Sequence, residues 1–325
     1  MKNSAANQGS ADAGFTRFEG RVRPLWLEFL RLARPAQWSK GVFVLIGPLY
    51  GLQDMTRPWP DVVLRALAAT GAFCLAASSC YVVNDILDAP ADRLHPRKRR
   101  RPIASGAITP GRASVFAGVL VGAALALMFV LDPAARGWTA LSIGVYVGTV
   151  WAYSLWLKHV IIADVICLSL GFVLRVIGGC AAVGIWPSSW LMNCTFFIAM
   201  FLSFGKRLGE RRTVSDAAAV RAVQGSYTDE LLRMTVVVTA VATLVTYSGY
   251  VQDHAEKFGD GFNLLWVTML PATYALLRCI VLLERGDYDD PTELAMHDRP
   301  FQLAALVFAA VTLVMIGIES RPPVP

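Results

Sequence analysis

Residues 84–106 read NDILDAPADRLHPRKRRRPIASG and lie between two long apolar runs. Carboxylates come first, at Asp85, Asp88 and Asp92, beside Asn84. A basic run follows at Arg93, Arg97, Lys98, Arg99, Arg100 and Arg101. Side chains three and four residues apart share one helix face. Like charges gathered on one face repel unless a cation sits among them, and a hard divalent ion such as Mg2+ takes oxygen ligands and bridges to phosphates. Arg and Lys then suit phosphate oxygens. The chemistry this pattern predicts is a Mg2+–diphosphate site at a membrane surface. Two plainer readings stand beside it. Cytoplasmic loops of membrane proteins carry excess Lys and Arg for topological reasons, and the three Asp residues could form a solvated loop. Pro90 lies inside the acidic stretch and would clash with the carbonyl four residues back. A kink or break is expected there, which weakens the one-face argument for Asp92 more than for Asp88.

Charges elsewhere add to the pattern. Lys40 opens the first apolar run, in RPAQWSKG, where snorkelling to the interface is the plain alternative. Asp164 and Arg175 lie in one apolar run, 11 residues or about three helical turns apart, and so share a face. Ionisable groups at membrane depth face a cavity or a partner; a structural ion pair within the bundle is the alternative for Asp164. Lys158, about a turn and a half before Asp164, points to the cytoplasmic mouth. A second polar loop begins FGKRLGERR, with Lys206, Arg207, Glu210, Arg211 and Arg212, and ends QGSYTDELLRM, with Tyr227 before the next apolar run. Lys206 and Glu210 stand at i, i+4 and could be a plain helix-surface pair. Arg65 and Arg278 read as interface or packing residues without a chemical role.

The elements that must position these side chains are membrane helices. Of 325 residues, 55% are hydrophobic and only 17% charged, which excludes an ordinary soluble protein and fits a polytopic membrane protein. Apolar runs near 38–53, 62–83, 113–131, 137–156, 160–183, 187–205, 231–251, 262–284 and 300–319 each approach the ~20 residues that cross hydrocarbon. With the N-terminus inside, the inner segments hold 21 Lys and Arg and the outer segments four. That asymmetry places the N-terminus in the cytoplasm and the C-terminus outside. Both polar loops, 84–112 and 206–230, then face the cytoplasm and can meet over one cavity. Residues 24–36 alternate apolar and charged side chains at helical spacing and predict an interfacial helix, ended by Pro35. Residues 1–23, rich in Ala, Gly, Ser, Asn and Arg, predict a disordered cytoplasmic tail; 24–325 reads as one intramembrane domain. No cleavable signal peptide is expected. The six Cys form no CxxC pair and read as packing residues, and the four His show no metal spacing.

The motif NDxxDxxxD at Asn84, Asp85, Asp88 and Asp92 resembles the first Asp-rich motif of the intramembrane (UbiA-type) prenyltransferase superfamily. That resemblance implies an all-α bundle of about nine helices around a central cavity roofed by two cytoplasmic polar loops. Within the superfamily, the pieces RPAQWSK (34–40), YSLWLKH (153–159), LRVIGG (174–179), FGKR with Glu210, SYT (226–228) and DPTE…DRPFQL (290–303) are most similar to the phosphoribosyltransferases that act on decaprenyl phosphate. Enzymes that use prenyl diphosphates carry a second DxxxD in the later loop; here GKRLGE stands in its place, and basic residues there suit a substrate with more phosphate. The resemblance implies transfer of phosphoribose from phosphoribosyl diphosphate to a polyprenyl phosphate, with pyrophosphate leaving. Asp85 and Asp88, with Asn84 and Asp92, would hold Mg2+, with Mn2+ the alternative. Lys40, Lys98, Arg101, Lys158 and Arg175 would bind phosphates, as would Lys206 and Arg207. Glu210 and Tyr227 would orient ribose hydroxyls or basic side chains. It further implies a bacterial inner-membrane protein serving cell-envelope arabinose synthesis, with no nucleic-acid partner. Oligomeric state stays open, a homo-oligomer included. Two other readings remain: prenyl transfer from a prenyl diphosphate to an aromatic or other acceptor, and a transporter or lipid-binding protein without chemistry, against which the absence of an inverted repeat and the rim position of the charges both speak.

Overall fold

A computed structural model describes residues 24–52, 55, 57–94, 98–213, 227–253, 264–288 and 291–319. The predicted tail at 1–23 and much of the second loop, 214–226, lie outside the described residues, as do Arg97 and His95. Among the described residues every regular element is helical. A short helix α1 (Leu25–Ala33) turns through a 3-10 segment, Pro35–Gly41, into α2 (Val42–Tyr50). Then come α3 (Trp59–Leu94), α4 (Pro110–Leu127), α5 (Pro133–Leu155), α6 (Ala163–Val183), α7 (Ser189–Thr213), α8 (Asp229–Asp253), α9 (Met269–Arg285), α10 (Pro291–His297) and α11 (Arg299–Glu319).

Five helices among the described residues are long and apolar enough to cross a membrane: α3, α4, α6, α8 and α9 with the 3-10 turn before it. The other four predicted spans fall on helices that are shorter or more polar. The 38–53 run becomes part of a 3-10 segment that opens at Pro35, followed by a nine-residue helix that contains Pro48. The 187–205 run extends into the charged segment to form α7. The expected break at Pro90 does not occur. Helix α3 runs unbroken for 36 residues, about 54 Å at 1.5 Å per residue, so the apolar span and the acidic motif form a single rod. Pro90 is exposed on that rod, where its ring meets solvent instead of neighbouring helices.

Helix α3 is the axis of the first half, packed by α1, α2, α4, α5 and α6; α7, α8, α9 and α11 make the second half, joined to the first through α6 and α7. The crossing of α2 and α6 is close. A Cβ built on Gly179 would stand 1.9 Å from the Val44 carbonyl oxygen, and one on Gly47 2.4 Å from the Cys180 sulfur, so only glycine permits this approach. At the far end of α3 from the acidic motif, Arg57 and Arg65 clasp Asp132, the N-cap of α5, at 2.7 and 2.8 Å, and Arg65 also holds Asp61 at 2.8 Å. Arg65 is therefore a clamp residue. Arg278 is another: its guanidinium holds Asp298 through two bonds of 2.7 and 2.8 Å, while Asp298 caps α11 through the Phe301 N–H. The Arg278 guanidinium holds the Asp298 carboxyl below the usual range.

Candidate active site

The acidic motif occupies the last three turns of α3. Asp85 and Asp92 stand seven residues apart, two turns on one face, and each is 3% exposed. Asp88 is exposed and Asn84 half-buried. The expected order is thus reversed: the continuous helix brings Asp92 into line with Asp85, and Asp88 is exposed. Arg101, which follows a 3-10 turn at Lys98–Arg100, spans the two buried carboxylates. Its Nη1 donates to Asp85 Oδ1 at 3.1 Å and to Asp92 Oδ2 at 2.7 Å.

A second guanidinium reaches Asp85 from a residue that motif reading passed over. Arg34 donates to Asp85 Oδ1 at 2.5 Å and lies over the Tyr81 ring, 5.1 Å from its centroid. Arg34 adopts left-handed backbone angles, φ 52° and ψ 60°, at the corner between α1 and the 3-10 segment. That corner is bolted to α3: the Trp38 indole donates to Ser78 Oγ at 3.0 Å, and the Ser78 hydroxyl donates to the Ala33 carbonyl at 2.7 Å. Arg31, paired with the buried Glu28, donates on to the Arg100 carbonyl at 3.1 Å and braces the basic loop. The only sequence signal for Arg34 was its place at the head of RPAQWSK; its partner lies 51 residues away.

A second polar cluster forms where α6 begins. Asp164 and Arg175 do not pair, because 11 residues of helix separate them by about 16 Å along the axis. Asp164 instead receives Arg207 from α7 and the Tyr227 hydroxyl at 2.8 Å. Tyr227, 1% exposed, also accepts the Ile162 N–H at 2.7 Å. Ile162 has φ 69°, a strained angle for a β-branched residue, and this bond helps hold it. Burial and the neighbouring Asp164 carboxylate push the Tyr227 phenol up to about 12. Deeper in α6, Arg175 donates to the Tyr146 hydroxyl at 2.8 Å and to the Gly171 carbonyl, with its guanidinium 4.4 Å from the Tyr146 centroid.

The remaining predicted residues sit around these clusters. Lys40, Lys158 and Glu210 are half-buried; Lys98 and Lys206 are exposed. Lys40, Lys98, Lys206 and Glu210 are each engaged by further contacts.

Among the described residues, no three His, Cys, Asp or Glu side chains converge as a metal cage. A Mg2+ ion held with substrate phosphates needs only one or two carboxylates. The donors here fit that mode. They are hard oxygens, Asp88 is exposed, and the arginines take Oδ1 of Asp85 and Oδ2 of Asp92, leaving the second oxygen of each outside those pairs.

The sequence profile of the UbiA prenyltransferase family matches residues 42–306. The chain belongs to this family. Its membership, with the apolar helices above, makes it an integral, multi-pass membrane transferase. The chain is 34% identical over 287 residues to the decaprenyl-phosphate phosphoribosyltransferase of Mycolicibacterium smegmatis, covering 86% of this chain and 89% of that one. It is 34% identical over 293 residues to the enzyme of the same name from Corynebacterium glutamicum, covering 88% and 86%. Among solved structures, it resembles a UbiA homolog from Archaeoglobus fulgidus bound to GPP and Mg2+. The TM-score is 0.63 at 16% identity, over 89% of this chain and 99% of that one, which establishes a shared UbiA fold.

Proposed function

We propose that this chain transfers the 5-phosphoribosyl group of phosphoribosyl diphosphate to a polyprenyl phosphate, giving polyprenyl-phosphoribose and pyrophosphate. The observation that carries this reading is the 34% identity to decaprenyl-phosphate phosphoribosyltransferases across nearly the whole of both chains. The site's chemistry supports it: acidic and basic side chains gather at the end of α3, the start of α6 and the end of α7, as suits a phosphate-rich substrate pair.

In the reaction an acceptor phosphate oxygen attacks C1 of the ribose. The C1–O bond to the diphosphate breaks, and pyrophosphate leaves with the electron pair. A phosphate monoester is largely dianionic at neutral pH (second pKa about 6), so no strong base is needed. Tyr227, with its proton held against Asp164, is not one. Asn84, Asp85, Asp88 and Asp92 would hold a divalent cation, Mg2+ or Mn2+, whose charge would offset that of the diphosphate. Arg101 would release Asp85 for that diphosphate while keeping its bond to Asp92. Lys40, Lys98, Lys158, Arg175 and Lys206 would bind the other phosphates. Arg207 holds Asp164 at the start of α6. Glu210 would orient a ribose hydroxyl or its basic neighbours. Residues 24–325 act as one intramembrane domain of a bacterial inner membrane, with the N-terminus and the site on the cytoplasmic face. The product's tail keeps it in the bilayer as a lipid-borne pentose donor, of the kind that envelope arabinose requires.

The test is purified protein in lipid with phosphoribosyl diphosphate, polyprenyl phosphate and Mg2+, read by mass spectrometry. Polyprenyl-phosphoribose that disappears with EDTA is the expected result. No such product, with turnover of a prenyl diphosphate instead, overturns the reading in favour of prenyl transfer.

A further inference from the structure

Asp85 carries two guanidiniums on one oxygen, and they are built differently. Arg101 is shared with Asp92 and sits beyond a 3-10 turn in the basic loop. Arg34 is fixed three ways: by its left-handed corner, by the Tyr81 ring, and by the Trp38–Ser78–Ala33 bolt that pins this corner to α3. Ser78, Tyr81 and Asp85 lie at i, i+3 and i+7 on one stripe of α3, so corner and carboxylate cannot move independently. A carboxylate that is 3% exposed requires a permanent counter-charge, and losing one member of such a pair is costly. Arg101 cannot be that permanent partner if it also grips phosphate.

We propose that Arg34 is a positioning residue of the donor site. It neutralises Asp85 throughout the cycle and so frees Arg101 to leave Asp85 for the diphosphate while it stays on Asp92. The neighbouring amphipathic α1, with Leu25, Trp26 and Leu30 exposed, would anchor this corner at the membrane surface. The inference rests on the phosphoribosyl-transfer reading only in that a diphosphate is the leaving group. It assigns Arg34 no contact with substrate.

The experiment measures equilibrium binding of inorganic pyrophosphate with Mg2+ to the full chain in detergent, beside KM and kcat for phosphoribosyl diphosphate. In Arg34→Gln, Asp85 retains Arg101. Pyrophosphate should then bind about tenfold more weakly, and KM should rise by a similar factor with kcat changed less. In an Asp85→Asn background, position 85 no longer needs a counter-charge, so adding Arg34→Gln should cost no further affinity. Unchanged pyrophosphate affinity in folded Arg34→Gln overturns the inference, as does an equal loss in both backgrounds. If Arg34→Gln does not yield a monodisperse protein, Arg34→Lys takes its place. It keeps the charge without the planar fork, a several-fold loss is expected, and wild-type affinity overturns the proposal. Failure of the wild-type chain to bind pyrophosphate with Mg2+ would instead count against the diphosphate site itself.

Discussion

At the end of α3 two carboxylates share one guanidinium, and at the start of α6 one carboxylate is shared by a guanidinium and a phenol. In the first cluster the side chains of Arg34 and Arg101 are 30% and 29% exposed, over carboxylates that are 3% and 4% exposed. In the second, the Arg207 and Asp164 side chains are 9% and 4% exposed, and Tyr227 is sealed. A partly wet guanidinium can exchange partners at modest cost, because water and arriving phosphates replace what it leaves, provided each buried carboxylate keeps one partner. A dry cluster cannot, because each unpaired group would bear its full desolvation penalty. The α3 cluster is therefore suited to chemistry and the α6 cluster to holding shape.

The sharpest way to break this contrast is Asp164→Ala. It leaves Arg207 buried without its carboxylate and should destabilise the fold by about 3–5 kcal/mol, read as a fall in Tm in detergent. Protein that survives at low temperature should retain much of its turnover. Asp88→Asn should show the opposite pattern. Turnover should fall by about 10²–10³, while stability stays within about 0.5 kcal/mol because the side chain is exposed. If the two variants exchange these patterns, the assignment of roles is reversed. Tyr227→Phe removes the hydroxyl that serves both Asp164 and Ile162 and should cost about 1–3 kcal/mol, with little change in KM for the donor. The smallest effect is alkaline. The Tyr227 phenol is raised to about 12 in the fold, against about 10 in an unfolded chain. Its contribution is complete below about 10 and is lost as pH rises toward about 12. The wild-type Tm should therefore fall more steeply than that of Tyr227→Phe across this interval.

Much of this was legible in the chain, for reasons that differ between the two clusters. Composition and apolar runs led to a helical membrane bundle because hydrocarbon imposes length and polarity rules on any spanning segment. The Asp spacing in 84–92 marked the first cluster because it is local to one helix. Pro90 misled: a missing N–H and a ring clash predict a break, yet in α3 the residue is exposed and the helix absorbs it. The second cluster was half legible. A carboxylate at Asp164 pointed to a cavity or to an ion pair within the bundle, but no local spacing names its partner, which comes from α7. Arg34 was not legible as a functional residue, because its role comes from a left-handed corner meeting a residue 51 positions away. No local pattern encodes such a meeting.

The unbroken α3 has a consequence for the lipid around it. Its acidic end and its far end are one rod, and the far end is fixed by the Arg57–Arg65–Asp61–Asp132 clasp. The height of the acidic motif above the hydrocarbon is then set by the opposite surface of the bilayer. A thinner bilayer should push the motif further into water, and a thicker one should draw it toward the headgroups. Turnover in liposomes of graded acyl length should pass through a maximum, which a site carried on a separate loop would not show.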